Sequence, residues 1–136
     1  MIIDTSALVA VGWAEAGYAP IFEALLAGNG LIPAPVQVEF RRVTALPGNQ
    51  PDPLVDGFLV TLFAAGVQVI PFDAAAADAA VAANARFGSG NGRGGPLNLL
   101  DLMVYGIAKA RGLPILCTGK DFAATDALLH PASRPW

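Results

Sequence analysis

Five of the eleven acids in this chain stand where an ordinary solvated acid does not. Asp4 closes the apolar opening "MIID", and Glu39 lies among Val36, Val38, Phe40 and Val43 in "PAPVQVEFRRV". Asp101 is embedded in "NLLDLMVYGIAKA", while Asp121 and Asp126 follow the strand-like run "LPILCT" in "CTGKDFAATD". A carboxylate set with no His/Cys cluster favours hard, oxygen-loving ions such as Mg²⁺ or Mn²⁺ over zinc. Such ions orient phosphates and activate water, so metal-dependent phosphodiester hydrolysis is the chemistry these residue types suggest.

Each acid has a plainer role open to it as well. Asp4 could simply turn the chain at a strand end. Glu39 could pair with Arg42, three residues on along a helix. Asp101, three residues after Asn98, sits in a first helical turn and complements the helix dipole. Their joint placement is what favours a shared site.

A nucleophilic route lacks a base. The one histidine, His130, lies in the tail "HPASRPW", read as exposed, so no Ser-His-Asp or Cys-His arrangement forms. The single cysteine, Cys117, reads as a small buried hydrophobe on a strand. It permits no intramolecular disulfide and fits a reducing compartment. "GSGNGRGGP", with five glycines in nine residues, lacks the Gly-Lys-Ser/Thr ending of a phosphate-binding loop. It reads as a mobile loop on the substrate side, carrying Arg93.

These residues need a scaffold, and the apolar pattern supplies one. "MIID", "GLIP", "VQVIPF" and "LPILCT" read as short buried strands. Helices are expected between them. The first has Thr5 and Ser6 as candidate N-caps, the second spans "YAPIFEALLAGNG", and the third runs from Pro35 to about Leu46. Others cover about 54–65, 73–87 and the stretch from the Asn98 cap to Arg111, where Gly112 ends the helix. "LPGNQPDP" is a loop, and the segment after the fourth strand is expected to be short and irregular. Strands alternating with helices imply an α/β/α sandwich of three layers around a short, mostly parallel sheet. Sites in such sheets form beyond the carboxyl ends of the strands, which puts Asp4, Asp121 and Asp126 on one rim.

The length of 136 residues fits one domain, 1–136, with no internal repeat. The chain holds 26 alanines, so helices should be abundant and closely packed. Only 14% of residues are charged, which leaves apolar surface for a partner and suggests an oligomer, most simply a homodimer. A net charge of −3 announces no global nucleic-acid field. The opening has no basic segment typical of a signal peptide, and the longest uncharged run, 57–72, is broken by Gln68 and Pro71. A soluble, cytoplasmic protein without membrane contact is expected.

The motifs also carry a resemblance. "MIIDTSAL", "VEF" and the long block "ARFGSGNGRGGPLNLLDLMVYGIAKARGLPILCTGKDFAATD" resemble the PIN-domain ribonucleases, and among them the VapC toxins of bacterial type II toxin–antitoxin systems. That resemblance implies a Mg²⁺-dependent endoribonuclease, with Mn²⁺ able to substitute, held in check by a cognate antitoxin. It implies Asp4, Glu39, Asp101 and Asp121 as catalytic metal-binding acids, Asp126 as an accessory metal acid, and Ser6 and Thr118 as supporting hydroxyls. Arg93 and Lys120 are the candidate RNA contacts. Leu100 stands where the family commonly has glycine, and Arg93 is the one basic residue of the preceding loop. Three other classes fit less well. A phospho-receiver domain needs an aspartate ending a central strand, which "GLIPAPV" does not offer. A haloacid-type phosphatase needs an aspartate where Ser6 stands. A catalytically silent PIN-like module bound to an antitoxin or repressor complex would keep the acids only for metal-dependent folding.

Overall fold

A computed structural model describes residues 1–46, 48 and 53–135, with side chains at 53–56 left aside. Most of the expected loop "LPGNQPDP" lies outside the described residues. Four strands, β1 (Ile2–Ile3), β2 (Leu31–Pro33), β3 (Gln68–Ile70) and β4 (Ile115–Leu116), form one parallel sheet in the order β3-β2-β1-β4. Ile2 pairs with both Leu31 and Ile115, so β1 is central. Successive strand residues point to opposite faces. Ile2 and Ile3 are both fully buried, as are Ile115 and Leu116, so both faces of the sheet are covered. The architecture is the expected three-layer α/β/α sandwich.

Six α-helices do the covering: α1 (Thr5–Gly12), α2 (Ala19–Leu26), α3 (Ala34–Thr44), α4 (Pro53–Ala64), α5 (Ala74–Phe87) and α6 (Leu99–Arg111). Their ends follow the cap chemistry. Asp73 accepts the Ala76 N–H, and Asn98 accepts the Leu100 and Asp101 N–H groups while Asp101 returns a bond to the Asn98 N–H. Gly112 ends α6 in the left-handed region at φ 63°, where glycine carries no Cβ penalty. At α1 the cap differs from expectation. Asp4, not Thr5 or Ser6, is the N-cap, because the strand runs into the helix with no linker between them.

Helices α5 and α6 lie unusually close. A Cβ on Gly106 would collide with the Ala76 carbonyl oxygen and crowd Ala80, so glycine sets the spacing. The tail is more ordered than its composition suggests. After a 3₁₀ turn at Phe122–Ala124, Leu129 bridges to Ile115 and Arg134 to Thr118. His130 is half-buried there rather than free: its N–H donates to the Ile115 carbonyl and its Nδ1 accepts the Ala132 N–H. Among the described residues, no helix is long and apolar enough to cross a membrane.

Candidate functional site

Where β1 and β4 end, an open cavity of about 260 Å³ is lined by Asp4, Thr5, Ser6, Glu39, Asp101, Thr118 and Asp121, with Val9, Val43 and Phe122 as its apolar wall. Among the described residues, no Lys, Arg or His lines it. Four separate elements deliver the acids. Asp4 follows β1, Glu39 sits in the middle of α3, Asp101 is in the first turn of α6, and Asp121 precedes the 3₁₀ turn after β4. A larger apolar groove of about 370 Å³ between α5 and α6, flanked by Val81 and Leu99, has no ionisable side chain in its lining.

Asp4 is held from behind. Its Oδ2 accepts both the Ser6 N–H, at 2.9 Å, and the Ser6 hydroxyl, and Ser6 Oγ accepts the Thr118 N–H at 3.0 Å. The chain of bonds fixes the carboxylate and ties the start of α1 to the end of β4. Ser6 thus meets Asp4 through its hydroxyl and its N–H, while Thr118 joins the chain of bonds through its backbone N–H rather than its hydroxyl. The Asp4 N–H also donates to the Leu116 carbonyl at 3.0 Å.

The electrostatics are unfavourable as they stand. Burial pushes the Asp4 carboxyl above its ordinary value, with the Glu39 charge adding to the rise and the Ser6 hydrogen bonds opposing it. Asp101 is pushed up to about 6 by burial, against the pull of its Asn98 hydrogen bond; the charges of Asp4, Asp121 and Glu39 add to the rise. The two roles weighed for Asp101 thus coexist. One oxygen, Oδ2, completes the helix cap at 2.9 Å from Asn98 N, and the side chain lines the cavity. Glu39 makes no ion pair with Arg42 among the described residues and faces the other acids.

The donor set is one for a hard divalent ion: carboxylates and hydroxyls, without thiolate or imidazole. Among the described residues, no three acids close round one point tightly enough to hold an ion unaided. A further sign is Thr5, which sequence reasoning took for a helix cap. Its Oγ1 is buried beside Asp4 without a hydrogen-bond partner among the described residues. Its place between Asp4 and Ser6 was the available signal.

Three expected site residues lie elsewhere. Asp126 does not line the cavity. Its carboxylate accepts the Tyr105 hydroxyl at 2.6 Å and lies 3.2 Å from Lys109 Nζ and 3.4 Å from Arg86. The Tyr105 hydrogen bond first, then Lys109 and Arg86, hold its carboxyl below the usual value. A carboxylate satisfied by two cations and a hydroxyl has little left for an ion. Arg93 also points away: its guanidinium donates to the Ala85 carbonyl at 3.2 Å, and the loop around it closes through Asn91 on Asn84 and a Gly88–Leu97 bridge. The glycine-rich loop is thus folded onto the end of α5, not extended toward the cavity. Lys120 is exposed and adjoins Asp121 in sequence, and it does not line the cavity. Leu100 does not line it either. Cys117 is the buried strand-end hydrophobe expected, its thiol pushed up to about 12 by burial.

The PIN domain model matches residues 1–128. Ribonuclease VapC42 of Mycobacterium tuberculosis is 36% identical over 138 residues, covering 97% of this chain and 98% of that protein. Ribonuclease VapC of Mycolicibacterium smegmatis is 34% identical over 131 residues, covering 96% of this chain and all of that one. In fold, the chain is similar to a protein in the VapBC2 complex of Rickettsia felis bound to a promoter DNA fragment, with a TM-score of 0.68, 17% identity and 94% of each chain covered. A toxin–antitoxin complex from Klebsiella pneumoniae gives 0.67 at 18% identity, covering 96% of each chain. The chain belongs to the PIN domain family and, within it, to the VapC group.

Proposed function

We propose that this protein is a Mg²⁺-dependent endoribonuclease and the toxin of a toxin–antitoxin pair. The observation that carries this is the cavity itself: four carboxylates from four elements converge on a space with no cation of the protein's own. Asp4, Glu39, Asp101 and Asp121 would hold the ion, and Mn²⁺ shares their donor chemistry. When bound, Mg²⁺ would polarise a phosphate oxygen and lower the pKa of an attacking water.

The chain's own residues do the rest. Ser6 and the Thr118 N–H keep the Asp4 carboxylate oriented. The Val9, Val43 and Phe122 wall limits water on one side of the cavity. Lys120, exposed beside Asp121, is the proposed contact for an RNA phosphate; Arg93, bonded to the Ala85 carbonyl, is not. With a net charge of −3, backbone contacts through Lys120 would give weak, salt-sensitive RNA binding. An antitoxin partner is proposed on the names carried by the VapC relatives and on the fold neighbours. A homodimer is proposed with it, on exposed apolar side chains such as Val81 and Leu99.

The test is expression of the protein alone and with the small protein encoded beside it, together with RNA cleavage by purified protein in Mg²⁺ and in EDTA. Growth arrest relieved by the neighbour, and cleavage that EDTA abolishes, are the expected results. Normal growth with abundant soluble protein, and no cleavage in Mg²⁺ or Mn²⁺, would overturn the assignment.

A further inference from the structure

We infer that Tyr105 and Asp126 form a clamp that fixes Asp121 relative to Asp101, a positioning role for two residues outside the cavity. The inference rests on the nuclease function proposed above. Asp101 and Asp121 reach the cavity from α6 and from the segment after β4, which no sheet hydrogen bond joins. Asp121 is already tied to Asp4, through the pairing of β1 with β4 and the Thr118–Ser6 bond. Its tie to Asp101 runs through Asp126.

The route is short and stiff at every step. Tyr105 lies one helical turn after Asp101 and Lys109 two turns after it, so both share a rigid frame with that acid. Asp126 docks on this frame. Tyr105 Oη donates to Oδ1 at 2.6 Å, Lys109 Nζ stands 3.2 Å from the same oxygen, and Nζ also donates to the Asp126 carbonyl at 3.3 Å. Between Asp126 and Asp121 the backbone braces itself. The Ala124 N–H donates to the Lys120 carbonyl at 3.0 Å and the Thr125 N–H to the Phe122 carbonyl at 3.1 Å. Thr125 Oγ1 donates to that Phe122 carbonyl at 2.7 Å and accepts the Ala127 N–H at 3.0 Å. Phe122 is buried and forms part of the cavity wall, so the turn cannot rotate without moving that wall.

Of the three side chains on Asp126, Tyr105 is the one that holds. It is buried, with its ring 5.8 Å from that of Phe87, whereas Arg86 and Lys109 are substantially exposed and screened by solvent. Burial, then the Asp126 bond, raises the Tyr105 pKa, so the hydroxyl keeps its proton and stays the donor through neutral pH.

The test compares the parent with Tyr105→Phe, Asp126→Ala, the double variant and Asp4→Asn, all as the full chain. Amide exchange is followed in EDTA, Mn²⁺ affinity by titration, and cleavage by steady-state kinetics. Tyr105→Phe should expose the Ala124 and Thr125 amides to faster exchange without metal. It should weaken Mn²⁺ binding roughly tenfold, the range for outer-shell partners. It should lower kcat with KM for RNA nearly unchanged. Asp126→Ala, which removes the acceptor, should reproduce this, and the double variant should be no worse than the more affected single one. Should Tyr105→Phe not be recovered folded, Asp126→Ala, which removes an exposed carboxylate, carries the same measurements. A Tyr105→Phe protein that binds Mn²⁺ as the parent does, even with a lower melting temperature, overturns the positioning role alone. A parent with no Mn²⁺ response overturns the nuclease assignment and this inference with it.

Discussion

Asp101 and Asp126 lie in opposite electrostatic company, though one helix, α6, serves both. Asp101 is half-buried facing Asp4, Glu39 and Asp121, and its pKa rises to about 6. Asp126 meets Tyr105, Lys109 and Arg86, and its pKa falls. The difference separates two uses of a carboxylate. An acid held below its ordinary pKa is satisfied by the fold and adds to stability. One held above it is destabilising when ionised and gains only when something positive arrives from outside. The cavity is on this view strained in the metal-free protein, while the Asp126 cluster holds the site's shape.

The largest expected effect is on activity. Asp4→Asn should reduce RNA cleavage by about 100-fold or more, since even outer-shell changes cost 10–100-fold. The fold should persist, because asparagine caps a helix about as well as aspartate and Asp4 is the N-cap of α1. Purified Asp4→Asn protein that cleaves like the parent in Mg²⁺ would remove Asp4 from the site.

Stability in EDTA breaks or sharpens the comparison next, because the two aspartates should move it in opposite directions. The folded pKa of Asp101 lies above its unfolded value, so the folded state binds more protons between about pH 4 and 6. Stability from this group therefore rises as pH falls through that window and is at its worst above about 6. A shift of two units would correspond to about 3 kcal/mol, which partial solvent screening reduces to about 1–2 kcal/mol. Loss of charge in the first helical turn opposes this by roughly 0.3–1 kcal/mol. Asp101→Asn should thus raise the melting temperature at pH 7.5 by a few degrees, and the gain should vanish by about pH 4. Asp126 has the reverse sign. Its lowered pKa gives stability that is present above the unfolded value and lost as pH falls, so Asp126→Ala, which also removes the acceptor for Tyr105, should melt lower at pH 7.5, by about 1 kcal/mol for one good hydrogen bond. If Asp101→Asn melts lower instead, its cap role outweighs its membership of the acid cluster. Adding Mn²⁺ should then separate them again, stabilising the parent more than Asp101→Asn.

Much of this was legible in the sequence because the signals are local. Strands appear as short apolar runs, and α6 is bracketed by Asn98 and Gly112, whose cap chemistry depends only on near neighbours. Asp4, Glu39 and Asp101 stood apart from ordinary acids by their apolar company, and Asp121 and Asp126 by following the fourth strand. What the sequence left dark is non-local. Nothing near Asp126 distinguishes it from Asp121; its partners, Tyr105 and Lys109, lie 21 and 17 residues back on another element. Arg93 turns inward onto the Ala85 carbonyl in the last turn of α5, a contact between elements that five glycines do not reveal. The tail joins the sheet by isolated bridges too short to leave a periodic pattern.

The smallest expected effect tests which arm of the Asp126 cluster matters. Arg86 lies 3.4 Å from Asp126 Oδ2 with its side chain 67% exposed, and its guanidinium also sits 4.6 Å above the Phe87 ring. Exposed pairs of this kind contribute about 0–1 kcal/mol and are weakened by salt. The stacking adds little at such exposure, about 0.5–1 kcal/mol at most. Arg86→Ala should therefore lower the melting temperature by no more than about 2–3 °C, with most of that shift gone in 0.5 M NaCl. Asp126→Ala should keep its larger effect in the same salt, because the bond from the buried Tyr105 hydroxyl, which it removes, is poorly screened. Equal losses from the two variants, both erased by salt, would mean that a surface charge network holds Asp126, and the contrast with the acid cavity would then be one of net charge rather than of burial.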